Sequence, residues 1–216
     1  VPTEANWRDS FNAGSQAAWD ISVATYLQNF SVSAQDTIAR GLFFRADGLK
    51  MYHVGWSGVD VNEYNLGTAW DVSTASFLQN FSVSAQESTP NDVFFKPDGT
   101  KMYVIGNNGD DVNEYNLSTA WDISTATYSQ SFSIAAQEVT PRGVFFKPDG
   151  IKMYVIGTSS DGVYEYDLST AWDVSSATYL QTFSVATQEI NPNGVYFKPD
   201  GAKFYVAGWT GDSIYE

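Results

Sequence analysis

Two arginines and two asparagines share one phase of the sequence: Arg40, Asn91, Arg142 and Asn193 follow one another at intervals of 51 residues. A guanidinium offers a planar fork of N–H donors that fits a carboxylate, sulfate or phosphate, and a carboxamide adds uncharged donors. Converging at one place, the four side chains form a ligand-binding site for a small anion, or for a glycan or protein presented there. The competing chemistry is local. Asp36, Glu87, Glu138 and Glu189 precede these positions, and ion pairs with them would neutralise the arginines at a rim without any ligand.

Trp56 and Trp209 occupy loops of the first and last repeat. Brought together, they would give an aromatic platform for a sugar; apart, they are rim packing. Asp110, Asp111, Asn113 and Glu114 are oxygen-bearing neighbours but lack the spacing of a calcium loop, so no metal site is expected. His53 is the one histidine and stands where the other repeats have Val104, Val155 and Val206, which reads as a packed substitution. With one histidine and no cysteine, nucleophilic triads have few partners to draw on. No catalytic residue and no cofactor is expected, and the chain reads as a non-enzymatic binding or scaffold protein.

These side chains are positioned by a repeat. Trp19, Trp70, Trp121 and Trp172 recur every 51 residues, as do Gly48, Gly99, Gly150 and Gly201. The repeated tryptophans, four at one phase, read as packing between units. Within each unit apolar residues alternate with period two between turn signals, which predicts strands. In the third unit Gly143–Phe146 and Lys152–Ile156 flank Lys147-Pro148-Asp149-Gly150, a tight hairpin in which Pro presets φ and Gly supplies φ > 0. Val163–Tyr166 and Ala177–Val185 complete four antiparallel strands, the make-up of a propeller blade. A lone blade buries neither face, so the units must stack about an axis.

The segments FKPDGTKMYVIG and FKPDGIKMYVIG resemble the PDG-x-x-[LMV]-Y-V core of YVTN-type and related bacterial propeller repeats, over nearly the whole chain. The resemblance implies an all-β fold. It also leaves a metal-dependent lactonase-like enzyme as an alternative function, because propellers of this kind include lactonases beside surface proteins and scaffolds.

The expected architecture is a β-propeller of four blades, each of four antiparallel strands, closed by pairing of the outer strand Ala24–Val32 with Ser213–Glu216. Residues 1–18 form an irregular lead-in, and residues 19–216 a single propeller domain of four repeats. The expected state is a monomer. Two further readings stay open: a homodimer forming an eight-bladed ring, and a structural repeat module cut from a larger propeller. The formal charge of −14 and pI near 4.2 repel polyanions at long range, so neither nucleic acid nor membrane is an expected partner. An extracellular or phage-associated setting is the expectation for such a binding protein.

Overall fold

The computed structural model describes residues 25–216; the lead-in expected over 1–18, Trp19 and Ala24 lie outside the described residues. The first repeat contributes β1 (Ala39–Phe44), β2 (Lys50–Gly55), β3 (Asp60–Leu66) and β4 (Ala75–Ser82). The second contributes β5 (Pro90–Phe95), β6 (Lys101–Gly106), β7 (Asp111–Leu117) and β8 (Ala126–Ser133). The third contributes β9 (Pro141–Phe146), β10 (Lys152–Gly157), β11 (Gly162–Leu168) and β12 (Ala177–Ser184), and the fourth β13 (Pro192–Phe197), β14 (Phe204–Gly208) and β15 (Ile214–Tyr215). Each sheet is an antiparallel meander in chain order. The innermost strands pack in series, β1 on β5, β5 on β9 and β9 on β13. This is the expected all-β, four-bladed propeller. Short 3-10 turns, Val72–Thr74, Ile123–Thr125 and Val174–Ser176, precede the outer strands.

Large aromatic rings fill the gaps between blades: Tyr52, Tyr103, Tyr115, Tyr166, Phe95 and Phe146 are fully buried. The repeated tryptophans take part, as their phase suggests. Trp121 stacks on Phe95 with centroids 5.7 Å apart, and its carbonyl accepts the Tyr52 hydroxyl of the preceding blade at 2.7 Å. Trp70, Trp121 and Trp172 have φ of 65°, 66° and 65°, a left-handed conformation unusual for a bulky residue. It lays the indole across the hairpin glycine. Gly99, at φ 74°, has no room for a side chain, since a Cβ there would lie 2.4 Å from the Trp121 ring. Below the ring a buried carboxylate latches one blade to the next. Glu114 pairs with Lys101 at 2.5 Å, accepts Gln130 Nε2 at 3.1 Å, and accepts the backbone amide of Val174 from the third blade at 3.1 Å.

The expected closure is not made. The fourth sheet has three strands, and residues 25–32 belong to no strand. They lie against the first blade instead: Phe30 meets Tyr64 edge-on at 5.6 Å, and Gln28 Nε2 donates to Asp71 Oδ1 at 2.6 Å. Those contacts repeat Phe81 on Tyr115 (5.6 Å) and Gln79 to Asp122 (2.7 Å). An outer strand therefore has two faces to satisfy, a sheet edge and the next blade, and here it is held by the second alone.

Candidate functional site

The inner strands begin with the four residues singled out from the sequence, and Arg40, Asn91, Arg142 and Asn193 line one cavity of about 300 Å³ at the axial mouth. Their roles differ. Arg40 is exposed, with its guanidinium carbon 3.8 Å from the centre of the Trp56 ring, a cation–π arrangement that fixes its direction. Arg142 is half-buried, and its Nε is buried with no protein partner. Burial and the neighbouring Arg40 charge push the Arg142 guanidinium below its usual range, against the opposing pull of Glu138. Both arginines line one opening, which also holds the Asp92 carboxyl.

Asn91 has its polar atoms occupied. It accepts Trp56 Nε1 at 3.1 Å and donates to Pro141 O and Asn107 Oδ1 at 2.6 and 2.9 Å. It braces Trp56, and through that ring Arg40. Asn193 donates to Asn191 O at 3.3 Å. Trp209 is 70% exposed, and no ring contact joins it to Trp56 among the described residues. The expected aromatic platform does not form, because Trp56 is turned inward by Arg40 and Asn91, and the closure that would make the first and last blades neighbours is absent.

The rim carboxylates do not pair with the arginines either. Asp36, Glu87, Glu138 and Glu189 are buried and accept backbone amides of their own blade's loops. Glu189, for example, takes Asn191, Thr210 and Gly211 amides at 2.8, 3.0 and 2.9 Å. Those bonds hold the Glu189 and Asp36 carboxyls below their usual range despite desolvation. The acids serve the loops and leave the guanidiniums free for the opening.

Sequence reasoning passed over one residue that lines this cavity, Asp92. Position 41 of the first repeat is Gly, and its counterparts are Asp92, Gly143 and Gly194. The inner strands approach so closely that a Cβ on Gly41 would lie 2.5 Å from Asp92 Cα. Asp92 alone sends a side chain into this crowded axis. Its Oδ1 accepts Val93 N at 2.9 Å and its Oδ2 accepts Val144 N, across the blade boundary, at 3.0 Å. Desolvation nevertheless outweighs both bonds and raises its carboxyl to about 7. The signal was present as a break in the repeat, one residue beyond the arginine position.

Among the described residues no three His, Cys, Asp or Glu side chains gather as a metal site. The donor set at the mouth is one carboxyl, two guanidiniums and a free amide edge. That set can orient an anionic molecule and exchange a proton with it or with water.

Site and fold together define a β-propeller with a charged axial mouth. Neither a protein-family model nor a curated protein sequence matches the chain. Solved structures do. A candidate 6-phosphogluconolactonase from Bacteroides uniformis superposes with a TM-score of 0.59 at 16% identity, over 82% of this chain and 49% of its own. The periplasmic gluconolactonase of Pseudomonas aeruginosa gives 0.54 at 15% identity, over 82% and 48%. The β-propeller domain of Cps50 (Swd1) from Myceliophthora thermophila gives 0.54 at 11%, over 82% and 52%. These likenesses establish the fold, and the chain spans about half the length of the structures it resembles. They also overturn the expectation that the chain is not an enzyme, since its structural neighbours include a candidate 6-phosphogluconolactonase and a gluconolactonase.

Proposed function

We propose that the axial mouth hydrolyses the lactone of an anionic sugar acid. Asp92 carries this reading: it is a desolvated carboxyl at the one place where the repeat gives up its glycine, in the cavity that Arg40 and Arg142 share. Arg142, with an unpartnered Nε, grips the substrate's carboxylate or phosphate substituent, and Arg40, steadied by Trp56, completes the clamp. Ionised Asp92 takes a proton from water as its oxygen bonds to the lactone carbonyl carbon. The ring C–O bond then breaks, and the leaving alkoxide takes the proton from Asp92, giving the open hydroxy acid. A carboxyl titrating near neutrality suits both transfers.

The names of two neighbours, a candidate 6-phosphogluconolactonase and a gluconolactonase, support the choice of substrate, and the PDG-x-x-[LMV]-Y-V segments support kinship with YVTN-type repeats. The test is lactone consumption above the spontaneous rate, using δ-lactones of phosphorylated and unphosphorylated sugar acids between pH 6 and 8. Turnover lost in Asp92→Asn is the expected result. Wild-type protein that never exceeds the uncatalysed rate would rule the reading out.

A further inference from the structure

The loop between the second and third strands of each blade sets a pair of residues beside the buried rim acid: Ser57-Gly58, Asn108-Gly109, Ser159-Ser160 and Thr210-Gly211. In three blades the pair begins with a hydroxyl residue. Ser57 Oγ donates to Asp36 at 2.7 Å, and Ser159 Oγ donates to Glu138. In the first and fourth blades the glycine amide is engaged as well, Gly58 N on Asp36 Oδ2 and Gly211 N on Glu189 Oε2, both at 2.9 Å. The second blade departs on both counts. Here Glu87 is reached from this loop by Asn108 N alone, at 3.1 Å to each oxygen. Among the described residues neither the Gly109 amide nor the Asn108 side chain has a hydrogen-bond partner, and both residues are exposed.

An asparagine followed by glycine carries an electrophile and a nucleophile side by side. The carboxamide carbon can close a ring with the next backbone nitrogen, and a residue without Cβ puts nothing in the way. At Asn108 neither group has a bond to give up first. We propose that Asn108 is a site of self-modification in the folded protein. Gly109 N bonds to Asn108 Cγ as the Cγ–Nδ2 bond breaks, and the nitrogen's proton leaves with the NH2 as ammonia, closing a succinimide. Water then opens that ring. Attack at Cγ gives aspartate, and attack at the main-chain carbonyl gives isoaspartate, whose backbone is longer by a methylene.

The new carboxylate joins Asp110 and Asp111 in one loop. Desolvation, then the Glu138 and Asp111 charges, already hold the Asp110 carboxyl above its usual range. Asp110 also has a left-handed backbone, φ 49°, and its carbonyl accepts Ile134 N at 2.8 Å where the chain leaves β8. Added charge and added length both load that junction. The chain has one other Asn-Gly pair, Asn193-Gly194, which lies within β13 with Gly194 in register with Ala207 of β14. That ladder has to open before its nitrogen can turn on the carboxamide.

Ageing the folded 216-residue chain in mildly alkaline buffer, followed by mass spectrometry of its proteolytic fragments, tests the site. Asn108 is expected to gain about 1 Da, NH2 exchanged for OH, and to do so about tenfold or more faster than Asn193. Isoelectric focusing should show a more acidic band. In urea the two sites should convert at equal rates, since the fold is what separates them. Asn108→Ser, which installs the residue of the first and third blades, should remove that band and keep the thermal midpoint that the aged wild type loses. Asn193 converting as fast as Asn108 in the folded chain, Asn108 converting only in urea, or an acidic band that persists in Asn108→Ser overturns the proposal.

Discussion

Asp92 Oδ2 accepts the backbone amide of Val144 at 3.0 Å, so the one acidic side chain at the crowded axis is held by the strand of the neighbouring blade. Its position is therefore fixed by how the second and third blades meet, and its raised carboxyl by the burial it meets there.

Activity should follow that protonation. The base form is required for attack, so kcat/KM on a sugar-acid lactone should rise tenfold per pH unit below about 7 and level off above it. Asp92→Asn should lower kcat by about 100-fold or more and abolish this limb, which a pH–rate profile would show.

The same carboxyl should make the fold less stable as pH rises. Its folded value is near 7, well above the ordinary aspartate value of 3.8, so the folded state holds the proton more tightly. Its penalty is absent below about pH 4, grows through the interval, and is complete above 7. Asp92→Asn should consequently raise the thermal midpoint at pH 8 and leave it nearly unchanged at pH 4, read by circular dichroism.

Arg142 should govern affinity more than turnover. Arg142→Ala should raise KM for an anionic lactone by about 10- to 100-fold, the worth of one charge-assisted hydrogen bond, with a much smaller effect on an uncharged lactone. Equal losses on both substrates would assign the residue to structure.

The inter-blade latch should be unequal along the chain. Glu114, with its side chain 1% exposed, serves Lys101, Gln130 and the Val174 amide, so Glu114→Ala should cost about 3–5 kcal/mol. Glu165, 16% exposed, receives no such amide among the described residues, and Glu165→Ala should cost less. Urea midpoints of the two variants measure the difference.

Gly99→Ala should destabilise by about 1–3 kcal/mol from its left-handed backbone alone, and by more because the Trp121 ring has to move. Thermal unfolding would register this as a lower midpoint.

Much of the fold was legible because one unit is written four times. The PDG hairpins, the alternation of Lys152–Ile156 and the common phase of the tryptophans each repeat the same instruction, so local signals reinforce one another. Closure was not legible. A strand sequence such as Thr25–Val32 states that it needs a sheet edge but not whose edge, and period-two patterning is the same for either. The mouth was half legible. Arg40 and Arg142 stood out by charge, whereas Asp92 was hidden among 25 acidic residues and became conspicuous only when Gly41 and Gly143 were seen to crowd it. The inward turn of Trp56 depends on Asn91 from another repeat, a pairing that no spacing announces.

Because every latch joins the same acid of one unit to the same turn of the next, the units are interchangeable at their boundaries. A gene encoding them could gain or lose a whole copy by unequal crossing-over and keep this latch at the new boundary. During folding the same sameness lets a turn dock on the wrong acceptor, with only chain connectivity to favour the right neighbour. Against that background a lone departure such as Asp92 gives one boundary an individual character.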